Sequence, residues 1–212
     1  YGLMAVAMVI TGSVAWSIGT SPQLVYALFS NQILSLVIMF APLGFVFFLS
    51  ARVMKMSYAG GQLSFWLFSA LMGLSLSTIF VVYTGASIAN AFFTTAIAFG
   101  AMSLFGYTTK KDLSGMGRFL FMGVIGLIVA MIINWFTQSP GLEFAINVLG
   151  VLIFAGLTAY DTQNIKNTYL GLRSSPNGEE IAAKAGILGA LSLYINFLNM
   201  FMFLLQFMGN RE

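Results

Sequence analysis

The chain has 212 residues, 59% of them apolar and only 7% charged, with a mean hydropathy of +0.92. A soluble domain carries roughly 25% charged residues, so this composition excludes one and indicates a polytopic membrane protein. The net charge of +3 is spread over short loops rather than gathered into a stripe, which argues against a nucleic-acid partner, and the absence of both Cys and His removes disulfides, thiol chemistry and the side chain that ordinarily titrates nearest neutrality.

At about 20 apolar residues per span, the sequence reads as an all-α integral membrane protein with seven transmembrane helices. It forms one membrane domain over residues 1–212, with a further N-terminal tail expected ahead of Tyr1. The first helix covers roughly 2–19 and stops at Gly19-Thr20-Ser21-Pro22. The second, about 31–51, has Pro42 in its middle, where the missing backbone donor kinks a helix unless a neighbour satisfies the freed carbonyl. Arg52 and Lys55 follow it. The third, about 62–83, carries Ser69, Gly73 and Ser77 four apart, a row of small residues that lets helices approach closely. Thr84-Gly85-Ala86-Ser87 makes a tight hairpin into the fourth helix, about 87–107. A polar loop containing Thr109-Lys110-Lys111-Asp112-Leu113-Ser114 leads to the fifth, about 118–137, which ends at Thr137-Gln138-Ser139-Pro140-Gly141. The sixth begins near Glu143, and its apolar part stops at Tyr160, beyond which the helix continues into the polar segment. Residues 166–184 form the longest connection, with Ser174-Ser175-Pro176-Asn177-Gly178 as a flexible tip and Glu179-Glu180 opening the seventh helix, about 183–208.

Arg52, Lys55, Lys110, Lys111, Arg118, Lys166, Arg173 and Lys184 all lie at the connections after the second, fourth and sixth helices. The connections after the first, third and fifth carry no Lys or Arg, and only Arg211 lies on the other side. The positive-inside rule then places the N-terminus in the cytoplasm and the C-terminus outside.

Asp161 stands at the far end of the sixth apolar run, and the other membrane-length segments carry no acid. A carboxylate costs roughly 2.5–3.5 kcal/mol at a helix centre and less near an interface, so it usually faces a bundle interior, a partner or water. The plainer alternative is a solvated residue just past the helix end. Asn147, Gly150, Phe154, Thr158 and Asp161 share one helical face. On the seventh helix Ser192, Asn196, Asn199 and Gln206 recur at i, i+4, i+7 and i+14, and either line a polar side or make interhelical hydrogen bonds. The cytoplasmic ends of the sixth and seventh helices adjoin one connection, so Asp161 and Asn196 are expected near one depth. Arg52, at the same leaflet edge, is the third candidate and the expected ion-pair partner of Asp161; alternatively it snorkels to lipid phosphate, as Lys110 and Lys111 are read to do.

Several chemistries fail for want of residues. Zinc peptidases and serine proteases of the rhomboid kind need histidines, and aspartic intramembrane proteolysis needs two membrane aspartates, whereas Asp112 is in a loop. A Schiff-base pigment needs a lysine in mid-membrane, and Lys184 only starts the seventh helix. No enzymatic activity is expected.

Ala159-Tyr160-Asp161-Thr162-Gln163, the loop Thr109 to Ser114, Arg52 with Lys55-Met56-Ser57, and Leu191-Ser192-Leu193-Tyr194-Ile195-Asn196-Phe197-Leu198-Asn199 together resemble the Bax inhibitor family, in the right order across the second to seventh helices. Phe207-Met208-Gly209-Asn210-Arg211 is similar to its bacterial branch, which implies an inner-membrane location with the C-terminus periplasmic. The resemblance implies six helices around a central one. In some members it also implies a pH-sensitive calcium leak, closed by two aspartates and by an arginine after the second helix. Asp161 and Arg52 match two of these positions. Asn196, in Ile195-Asn196-Phe197, stands where the family often has an aspartate, so two-acid proton sharing cannot operate unchanged.

Two functions compete. One is a pH-influenced calcium or other cation leak in which Asp161 is the ligand or gate and Arg52 its closed-state counter-ion. Asn196 and Thr158 add oxygens to a weak calcium site, Ser192 and Asn199 form the supporting polar face, and calcium is the transported ion rather than a cofactor. The other is a non-conducting partner within the bilayer that modulates a membrane-bound AAA protease or another membrane complex.

Overall fold

The computed structural model describes residues 1–172 and 178–210; the expected tip at Ser174-Ser175-Pro176-Asn177, together with Arg173 and Arg211, falls outside the described residues. Among those described, the architecture is all-α, and seven helical segments are long and apolar enough to cross a membrane. In chain order the helices are α1 (Gly2–Gly19), α2 (Pro22–Phe29), α3 (Gln32–Arg52) running into a 3-10 turn at Val53–Lys55, α4 (Tyr58–Leu76), α5 (Ile79–Val82), α6 (Gly85–Thr108), α7 (Ser114–Thr137), α8 (Pro140–Leu172) and α9 (Gly178–Met208). Their Cα atoms cluster into two compact units. One comprises Tyr1–Gly85 with the described part of Thr168–Tyr194; the other comprises Ala86–Asn167 with Ile195–Asn210. The most apolar window of α9 is 67% buried, against 6% for α7.

In the first unit α1 lies against α4 through the small residues of the third span. A Cβ on Gly73 would come within 2.6 Å of the Thr11 carbonyl oxygen and 2.9 Å of the Val14 Cβ, so only glycine admits this approach. Thr11 Oγ1 reaches the Ser69 carbonyl at 2.9 Å and the Tyr194 hydroxyl at 2.6 Å, so the contact is pinned by hydrogen bonds as well as by shape. The Tyr194 ring is fully buried and packs edge-on to Phe65 and Phe68, each at 5.7 Å between centroids.

Pro42 is buried within α3, which runs on through it. Because proline lacks the amide N–H, the carbonyl four residues back, Ile38, loses its helical partner. The Ser75 hydroxyl of α4 donates to that carbonyl, which is the satisfaction a neighbour must supply inside a bilayer.

Two elements differ from expectation. The apolar pattern does not foresee α2, since eight residues are too few to show a period; Ser21 enters in an extended conformation, Pro22 supplies the first helical φ, and none of its residues is buried. The third span is broken at Ser77-Thr78 into α4 and α5. There the Ser77 hydroxyl and amide both turn back to the Leu74 carbonyl, tightening the last turn of α4.

In the second unit α7 and α8 close on one another through glycines, with Gly156 facing Leu120 and Gly123 facing Ile153. Just past the end of α9, the Asn210 amide donates at 3.0 Å to the Ser87 hydroxyl near the start of α6.

Candidate functional site

Asp161 lies 21 residues after Pro140, the first residue of α8, which at 1.5 Å per residue is about 32 Å along the axis, the thickness of a hydrocarbon core. The helix continues to Leu172, so Asp161 is not a residue beyond a helix end. With 33 residues, α8 is longer than a membrane span requires. The expected face is the inward one: Asn147, Gly150, Phe154 and Thr158 are all buried, Thr162 and Gln163 extend the buried surface, and Asp161 is half-buried.

From α9, the buried Asn196 donates its side-chain N–H, through Nδ2, to Asp161 Oδ2 at 2.8 Å. Within the second unit the carboxylate is thus met by a neutral amide, which donates a hydrogen bond and brings no second charge. The expected pairing of depths holds here.

The other candidates occupy different settings. Thr158, fully buried, donates its hydroxyl to the Phe154 carbonyl of its own helix at 2.8 Å, which leaves the oxygen lone pairs able to accept a ligand. Asn199, half-buried, donates to the Ile195 carbonyl at 2.9 Å. Ser192 and Gln206 are exposed, so the four-residue row does not share one environment. Gln206 stands in the last turn of α9, where Phe207 and Met208 are exposed too. Arg52 closes α3 in the first unit and is exposed. Among the described residues no three of His, Cys, Asp and Glu gather where they could hold a metal ion.

Beyond Asp161, α8 is tied to the segment before α7 by a strap that the sequence does not announce. Gln163, two residues on, accepts from the Leu113 amide at 2.9 Å through Oε1 and donates through Nε2 to the Lys111 carbonyl at 2.8 Å. Lys166 donates to the Tyr107 carbonyl at 2.8 Å and stands 4.8 Å above the Tyr107 ring. Gly106 lets the backbone of α6 rest on that of Ala159. Asp112 Oδ1 accepts from the Ser114 amide at 2.9 Å and caps the entry to α7; the hydrogen bonds from Ser114 hold its carboxyl below the usual range. The two loop and helix motifs that stand apart in the sequence are therefore one structural piece. The legible signal was an uncharged Gln amid a solvated-looking polar run.

The family described as "Inhibitor of apoptosis-promoting Bax1" matches residues 1–212. The chain is 46% identical over 212 residues to the inner membrane protein YbhL of Escherichia coli strain K12, covering 100% of this chain and 90% of that one. It is 48% identical over 223 residues to a protein of Caulobacter vibrioides, covering 100% and 87%. Against the Rickettsia prowazekii protein RP147 the identity is 41% over 212 residues, covering 100% and 88%.

Proposed function

The chain belongs to the Bax inhibitor family, and from that premise we propose that it is a multi-pass inner-membrane protein through which cations, calcium among them, leak past Asp161. The carrying observation is the Asn196 to Asp161 hydrogen bond, made by a half-buried carboxylate on a helix long and apolar enough to cross a membrane. An ionisable group kept at such a depth commonly marks an ion path. Asn196 can turn its amide oxygen toward an arriving cation, and Thr158 adds a hydroxyl oxygen. The name of the Escherichia coli relative supports the inner membrane as location. The Lys and Arg distribution supports a cytoplasmic N-terminus, a periplasmic C-terminus and Asp161 near the cytoplasmic face. Arg52 enters as a positive charge on that same side, the closed-state counter-ion in this reading, with no contact to Asp161 assumed.

The test is calcium uptake into liposomes that hold this protein alone, compared with empty liposomes and with liposomes holding Asp161→Asn. Uptake above the empty control that Asp161→Asn removes supports the leak. Uptake equal to the empty control refutes it and leaves the non-conducting role beside a membrane-bound protease or other complex as the reading to pursue.

A further inference from the structure

Asn147 and Asp161 mark two polar levels on the buried face of α8, 14 residues apart by their numbers, or about 21 Å along the axis. Asn147 is 3% exposed and its Oδ1 has no hydrogen-bond partner among the described residues. A polar atom so enclosed is costly as packing material, and a buried orphan calls for an explanation such as a missing water or ion. Halfway between the two levels stands Phe154, stacked on Phe203 of α9 at 5.9 Å between centroids with planes 25° apart. Phe203 lies directly on Gly150, where an added Cβ would come 2.5 Å from its ring. Nearer the Asp161 level, Phe197, the residue after Asn196 on α9, meets Phe99 of α6 edge-on at 5.4 Å, and all four rings are buried. The polar levels are thus separated by the Phe154–Phe203 stack, and Gly150 is the residue that allows Phe203 to lie across the helix face.

We propose that the Phe154–Phe203 stack is the barrier to ion passage along this face, with the Asp161–Asn196 pair as the polar station on one side of it and Asn147 as the station on the other. The inference rests on the cation-leak reading and specifies its regulation. An apolar constriction between polar levels excludes water, and without water an ion does not cross. Opening then requires Phe203 to leave its seat on Gly150, and shrinking that ring admits water without touching a polar group.

The experiment measures calcium uptake into liposomes containing the full chain as wild type, Phe203→Ala, and Phe203→Ala with Asp161→Asn, beside empty liposomes. Phe203→Ala is expected to raise the rate at least about tenfold over wild type, the effect of lowering a barrier by about 1.4 kcal/mol, and adding Asp161→Asn is expected to return it to the empty-liposome level. A wild type that leaks above the empty control and a Phe203→Ala protein that leaks no faster overturn the barrier while leaving the leak intact. A raised rate that survives Asp161→Asn also overturns it, because the opened route then bypasses the site. If wild type and Phe203→Ala both match empty liposomes, the leak itself is refuted and the barrier with it. Should Phe203→Ala not be recovered folded, Phe203→Leu carries the same comparisons, with a smaller rise expected.

Discussion

Asn196 of α9 gives a hydrogen bond to the carboxylate of Asp161 on α8 at 2.8 Å, joining the two polar residues of neighbouring membrane helices at one depth. The bond is asymmetric in chemistry. An amide cannot titrate, so Asp161 is the only acid of the pair, and acidification neutralises it in a single protonation.

Asp161→Asn keeps the volume and a hydrogen bond to Asn196 but removes the charge. Calcium uptake is expected to fall to the empty-liposome rate, while thermal unfolding in detergent shifts by no more than a typical membrane hydrogen bond allows, about 0.6 kcal/mol. Unchanged uptake would remove Asp161 as the ligand, and loss of folding would show that the carboxylate chiefly anchors the helix packing.

Asn196→Asp puts a second carboxylate within hydrogen-bond distance of the first. Two like charges this close share a proton, so uptake should acquire a steeper pH dependence than wild type when measured from about pH 5 to about pH 8, the range into which coupled carboxylates can be shifted. Above that transition the added ligand charge should also strengthen calcium binding. A wild type that is already as steep, and is not altered by the substitution, would show that position 196 does not control the response.

A third prediction concerns the carbonyl that Pro42 leaves unpaired. Ser75→Ala strands the Ile38 carbonyl and should cost about 0.6 kcal/mol, up to about 1.7. Restoring the backbone donor with Pro42→Ala should make the same serine substitution nearly silent. Thermal unfolding of the two single variants and the double variant measures this coupling, and additive losses would mean that Ser75 and the proline do not share the carbonyl.

The parts of this molecule that were legible are those the bilayer forces on a sequence. Span length marked the helices around Pro42 and Asp161, and the four-residue spacing of Ser69, Gly73 and Ser77 announced a close helix approach, though not that α1 makes it. Tyr194 was not legible, since its partner Thr11 lies 183 residues away and nothing local marks the pair. Gln163 was missed for a different reason: its partners are backbone groups of Lys111 and Leu113, which any residue would present. The row on α9 spans several settings that spacing alone does not show: Asn196 is buried in the middle of the helix, and Gln206 is exposed in its last turn.

The last prediction tests the strap. Gln163 uses its amide N–H and its carbonyl at once, on the Lys111 carbonyl and the Leu113 amide. Gln163→Leu leaves both of those backbone groups without a partner, at about 1–3 kcal/mol for each that stays buried. Gln163→Glu discriminates between shape and hydrogen bonding. When ionised it still accepts from Leu113 but faces the Lys111 carbonyl with a second acceptor, so it should lose part of the same stability. When protonated it has one donor and one acceptor, as glutamine has, and should recover most of it. The sign is therefore definite: the deficit of Gln163→Glu relative to wild type shrinks as pH falls and grows as pH rises, while that of Gln163→Leu stays constant. Thermal unfolding of wild type and both variants in detergent across acid to neutral pH reads this directly. A Gln163→Glu deficit that does not change with pH would show that the strap holds α8 by packing and that the two hydrogen bonds contribute little.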